Sequence, residues 1–170
     1  MAHHDAPSFR VSSESFQDGQ TLPPAQRGAS TGAGAKDESP QLSWSGAPTG
    51  TRGYAVTVFD PDAPGRGGFW HWAVLDLPAD VTSLPAGAGS RPAGHLPRGA
   101  FQLKNDGGST GYLGAAPPRG HGPHRYVVTV HALDVAHSGL DALARPATLE
   151  AHLAPHTLAR ASLTGIYERH

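Results

Sequence analysis

Short apolar stretches punctuated by glycine and proline run along the chain, and their spacing predicts strands far more often than helices. Residues 126–132 (YVVTVHA) are β-branched and aromatic, the composition of a buried strand, while two prolines and four glycines in residues 111–122 exclude a helix ahead of it. Residues 54–59 (YAVTVF) form a second strand that ends at Asp60-Pro61-Asp62-Ala63-Pro64-Gly65, where proline removes ladder donors and forces a turn. Residues 69–77 (FWHWAVLDL) form a third. Alternation assigns Phe69, His71, Ala73 and Leu75 to one face and Trp70, Trp72 and Val74 to the other. Shorter strands are expected within residues 8–11, 39–48 and 100–103, with turns at Asp18-Gly19 and Asn105-Asp106-Gly107-Gly108. Residues 22–34 have no period and read as an irregular surface loop or local disorder, and residues 79–99 read as a second loop. Near the end, Arg145-Pro146-Ala147-Thr148 opens a helical pattern in which Leu149, Leu153, Leu158 and Leu163 recur. Pro155 should kink or split that helix, Gly165 should stop it, and Ile166-Tyr167 should close the chain as a last strand.

Composition narrows the class without changing this picture. A chain of 170 residues with 38% hydrophobic content can bury one substantial core, so residues 1–170 are expected to form a single domain. Glycine (22) and proline (16) favour short strands joined by turns. Thirteen basic against fourteen acidic residues leave a net charge of −1, which gives no bulk attraction for nucleic acid or an anionic membrane. Cysteine is absent, removing disulfides, thiolate metal sites and cysteine nucleophiles together. No apolar run approaches the ~18 residues of a membrane span. The opening MAHHDAPSF has neither the basic cluster nor the apolar core of an export signal, so a soluble cytoplasmic protein is expected.

Candidate chemistry gathers at one end of the expected sheet. If the strands at 54–59 and 69–77 pair antiparallel, Asp60 leaves the first where His71 enters the second. If the strand at 126–132 runs the same way as the Phe69 strand, His124 arrives at that end too. One carboxylate and two imidazoles then line a mouth walled by Phe69, Trp70, Tyr112, Pro117 and Pro118, a mostly apolar hollow with a few convergent polar groups. Two imidazoles and the backbone amides of glycine loops suit an anionic oxygen, such as a phosphate or carboxylate. His121 and His124, spaced by three, with His71, are the alternative: three imidazoles for zinc. His131, His152 and His156 read as packed or solvated residues without a role, and Ser109, in a turn, is the serine nearest the matched segments.

The segments Asp60-Pro61-Asp62-Ala63-Pro64, Phe69-Trp70-His71-Trp72, Asn105-Asp106 and residues 111–126 (GYLGAAPPRGHGPHRY) resemble, in that order, the phosphatidylethanolamine-binding protein family. The resemblance is greatest to its bacterial and archaeal branch of Raf kinase inhibitor-like proteins, and it extends from Ser39-Pro40-Gln41-Leu42-Ser43-Trp44 to the end. It implies a mainly β fold, with a large antiparallel sheet packed beside a smaller one, few helices, and a closing helix from His156 through Tyr167. It implies an anion pocket made by Asp60, His71 and His124, with Ala63, Pro64, Gly114, Pro117 and Tyr126 as walls. Asp62 and Arg125 would be ion-paired beneath it, with Trp70 and His121 nearby as structural residues. No catalytic residue, metal or cofactor is implied. Bacterial members are frequently homodimers, and a kinase or protease is the class of protein partner the resemblance suggests. Ala115-Ala116 and residues 22–34 depart from the family pattern. Three functions are open at this point: a small-anion binding module, a hydrolase or phosphoryl-processing enzyme with an Asp/His pair, and an inhibitor acting through its surface.

Overall fold

Strand β3 (Gly53–Asp60) is the axis of the molecule, because its alternating residues are apolar on both faces and both faces are covered. The structure is a computed structural model, described here for residues 8–65, 67–90 and 95–170. The opening seven residues and residues 91–94 of the expected 79–99 loop lie outside the described part. In chain order the remaining strands are β1 (Arg10–Ser12), β2 (Leu42–Ser45), β4 (Phe69–Pro78), β5 (Ser83–Leu84), β6 (Phe101–Gln102), β7 (His124–Leu133) and β8 (Thr157–Tyr167). They make a five-stranded sheet in the order β6-β4-β3-β7-β8 and a three-stranded sheet in the order β1-β2-β5. Every pairing within the two sheets is antiparallel, so the fold is mainly β with a large and a small sheet, as expected.

Alternation decides which side chain serves which layer. Val56, Val58, Trp72, Val74, Val128 and Val130 point toward the small sheet and meet Leu42, Trp44 and Leu84. Ala55, Ala73, Leu75 and Leu133 point the other way and meet Leu103 and the helix α1 (Pro146–Leu153) through Leu149 and Leu153. At the functional end the alternation breaks. Val58 pairs with Trp72 but Phe59 pairs with Trp70, leaving His71 as the extra residue of a β-bulge. His71 therefore does not continue the face of Ala73 and Leu75. Its ring packs between Phe69, with centroids 4.7 Å apart, and Tyr126, at 5.2 Å.

Two further expectations are corrected. Residues 156–167 are not a helix: α1 ends in a 3-10 turn, Ala154–His156, and the chain then enters β8, in which Gly165 and Ile166 lie within the strand. Residues 22–34 are neither disordered nor merely superficial, since they form two 3-10 turns, Pro24–Gln26 and Ala29–Thr31, and bury Leu22 and Gln26. No helix among the described residues is long and apolar enough to cross a membrane.

Candidate functional site

Three segments deliver the site. β3 ends in Asp60, β4 begins with Phe69 and the bulged His71, and β7 begins with His124 and Tyr126. Because β4 and β7 both pair antiparallel to β3, their starts flank its end. The three sit around a cavity of ≈ 230 Å³. Its lining contains Asp60, His71, His124, Ala63, Pro64, Gly114, Pro117 and Tyr126, together with Phe69, Leu113, Ala116 and Pro118. Trp70 and Tyr112, expected as walls, are elsewhere: Trp70 packs on Phe59 and faces a neighbouring groove, and Tyr112 is buried with its hydroxyl donating to the Gln26 carbonyl.

Asp60 is buried, and both of its carboxylate oxygens accept. Oδ1 takes the Asp62 N–H at 2.8 Å and Oδ2 takes His124 Nδ1 at 2.6 Å. That bond fixes the His124 tautomer, leaving Nε2 as the second hydrogen-bonding nitrogen. His121 Nδ1 lies 2.7 Å from this Nε2, so His124 is held at both nitrogens. His71 Nδ1 bonds the Leu113 carbonyl at 2.7 Å, which turns its Nε2 into an acceptor while the ring is neutral. Burial lowers the His71 pKa, against opposing effects of the Leu113 hydrogen bond and of Asp60 and Asp106, so the neutral ring is favoured. Burial and the Asp60 charge both raise the Tyr126 pKa, which keeps its hydroxyl protonated as a donor.

Outside the cavity, Asp62 accepts two hydrogen bonds from the Arg125 guanidinium, each of 3.0 Å, and a third from the Arg125 backbone N–H. Those bonds hold the Asp62 pKa below the usual carboxylate range. The far wall is braced by residues of the 22–34 segment and by Asp37 just beyond it. Asp37 accepts the N–H of Gly114 at 2.7 Å and that of Ala29 at 3.0 Å, and the Gly28 N–H donates to the Ala115 carbonyl. Asp37 carries no motif around it that would have marked it. Phe69, Leu113, Ala116 and Pro118 complete the lining, and of these Phe69 and Pro118 were expected as walls from the placement of the strands and loop at the mouth. The zinc alternative is not supported, because no three of His, Cys, Asp or Glu among the described residues are grouped to hold a metal ion.

Residues 12–168 match the family model described as phosphatidylethanolamine-binding protein. The chain belongs to that family. It is 42% identical over 159 residues to the UPF0098 protein YbhB of Escherichia coli, covering 94% of this chain and 99% of that one. It is 41% identical over 163 residues to YbcL of the same organism, covering 96% and 89%. The crystal structure of E. coli YbcL superposes with a TM-score of 0.89, covering 96% of this chain and 99% of that one. A family homologue from Chlamydia trachomatis, CT736, 27% identical, superposes with a TM-score of 0.80 over 96% of this chain and 99% of that one. Within this family frame, the bulge at His71 and the double hydrogen bonding of His124 are the two local features that shape the cavity's chemistry.

Proposed function

We propose that the protein is a non-enzymatic binding module for a small oxyanion, such as inorganic phosphate, a phosphoryl head group or a carboxylate. The observation that carries this reading is the meeting of Asp60, His71, His124 and Tyr126 at one cavity. At ≈ 230 Å³ it lies below the ~300–1,000 Å³ of pockets for drug-sized ligands, which favours a phosphoryl or carboxyl group over a whole lipid. The Tyr126 hydroxyl and the N–H groups of Ala63 and Ala116 have no hydrogen-bond partner among the described residues and are the donors at hand. The enzymatic alternative is disfavoured by the same geometry. Both nitrogens of His124 are engaged, which leaves His71 Nε2 as the one imidazole acceptor facing a substrate, and no serine, threonine or cysteine among the described residues lines the cavity as a nucleophile.

Calorimetric titration with inorganic phosphate tests the reading. Saturable binding is expected in the wild type, and His124→Ala should lose it; wild-type affinity in that variant would reject the site. Because the neutral imidazoles offer acceptors, an anion that engages them brings a proton with it. Affinity should therefore be highest at low pH and fall as rising pH withdraws that proton. A flat profile from pH 5 to pH 8 would assign the binding to neutral donors alone. We also propose a cytoplasmic homodimer. Light scattering that returns the 17.6 kDa monomer at micromolar concentration would remove the dimer.

A further inference from the structure

His124 borders the cavity, yet the nitrogen a ligand would need is already taken. Asp60 holds Nδ1, and His121, an exposed residue of the loop before β7, covers Nε2 at 2.7 Å. Only one hydrogen fits between two ring nitrogens at that separation. With Asp60 ionised and both rings neutral, that hydrogen belongs to His121 Nδ1, and His124 Nε2 is a lone pair. An oxyanion arriving in the cavity then meets the lone pair of His71, the carboxylate of Asp60 and no imidazole N–H. One proton taken from solvent onto His124 Nε2 reverses this, giving an imidazolium paired with Asp60. If His121 keeps its own Nδ1 hydrogen, two N–H groups now oppose each other, and the contact cannot persist.

We infer that His121 is an internal competitor for the anion: it occupies the His124 nitrogen in the empty protein and leaves it when an oxyanion binds with uptake of one proton. This rests on the anion-binding reading above and adds its regulation. The surroundings favour such a step. Asp62 is paired with Arg125, whereas among the described residues no lysine or arginine is ion-paired with Asp60, so one imidazolium completes the balance. The other groups around the pair are His71 on β4, Tyr126 on β7 and Tyr167, which pairs opposite His124 on β8. Arg119 and Arg169 are engaged with the carbonyls of His170 and Pro117 on the outer side of the loop. His121 is also placed to move. Gly120 and Gly122 flank it at φ of 72° and 87°, with open space where a side chain would be, so the segment can re-orient without repacking a core.

The test is titration of the full chain with inorganic phosphate at pH 7, in buffers of different ionisation enthalpy. The wild type should take up about one proton per phosphate bound. His121→Ala should bind about fivefold more tightly, the factor for one neutral hydrogen bond no longer broken on binding. His121→Asn should stay near wild type, since its carboxamide N–H stands where Nδ1–H stood and still donates to His124. An alanine variant no tighter than wild type, or an asparagine variant as tight as alanine, overturns the competitor role. Nitrogen-15 NMR of the wild-type imidazoles gives a measure independent of any variant. The hydrogen-bond coupling between His121 and His124 should be present without phosphate and lost at saturation, and its survival at saturation overturns the inference. Absence of any saturable phosphate binding, or binding undiminished in His124→Ala, would instead defeat the underlying reading of the pocket.

Discussion

His131 carries a cost that its neighbours at the site do not. It lies on β7, 2% exposed; its Nδ1 has no partner and its Nε2 is 3.5 Å from the Thr57 hydroxyl, too far for a strong bond. Burial pushes its pKa down to about 4, with Glu150 opposing and Arg160 adding to the effect. A histidine whose folded pKa is depressed contributes stability that is complete above its unfolded value and is lost as pH falls. Here the loss runs from ~6.5 to about 4, and between pH 7 and pH 5 it amounts to roughly 2 kcal/mol. Urea unfolding should show the wild type losing that much more than His131→Leu over the same interval; equal losses in the two would place the acid sensitivity elsewhere. Strand placement alone sets His131, within the 126–132 run, apart from His71 and His124 at the strand starts, but it does not show that the His131 Nδ1 is left without a partner. What separates them is the company of a carboxylate, a carbonyl or nothing, and that is set by register and by a bulge that alternation alone does not reveal.

The strands β3, β4 and β7 were legible because their apolar runs are long and end at proline or glycine, whereas β8 was misread for a definite reason. Residues 157–164 (TLARASLT) hold alanine, leucine and arginine, good helix formers, and the leucines fall at a helix-like spacing. The period that governs them is two: Ala161 and Leu163 are buried while Leu158, Arg160 and Ser162 face out, and pairing along the whole of β7 outweighs local propensity. Asp60, His71 and His124 could be brought together on paper from antiparallel pairing alone. The brace behind Gly114 could not, because it joins segments about eighty residues apart. A Cβ added at Gly114 would stand 2.3 Å from the Arg27 carbonyl carbon and 2.4 Å from the Gly28 nitrogen, backbone atoms that cannot swing aside. Gly114→Ala should therefore destabilise the protein by about 1–3 kcal/mol and weaken phosphate binding by displacing the cavity wall. Unchanged melting together with unchanged affinity would show that the loop yields freely. Asp37→Ala, which removes the acceptor for the Gly114 N–H, should weaken phosphate binding in the same direction without adding bulk.

At the scale of the molecule, the site couples to global stability, because its residues come from three strands of one sheet and from the loops that close over them. A ligand that binds only the folded chain raises its stability by mass action, about 2.7 kcal/mol at a concentration one hundred times its dissociation constant. For a chain of this length each kcal/mol moves the melting temperature by roughly 2–4 °C, so saturating phosphate should raise it by about 5–10 °C. Sodium chloride at matched ionic strength separates this from general screening, since the charges that define the site are buried and the net charge of the chain is only −1. The shift should be larger at pH 6 than at pH 8, because the bound state holds one more proton than the free state and raising pH withdraws it. His124→Ala should erase the phosphate-specific part at both values. A shift of equal size at pH 6 and pH 8 would mean that the anion is held by the Tyr126 hydroxyl and loop amides without an imidazolium, and the pairing of Asp60 with His124 would then be purely structural.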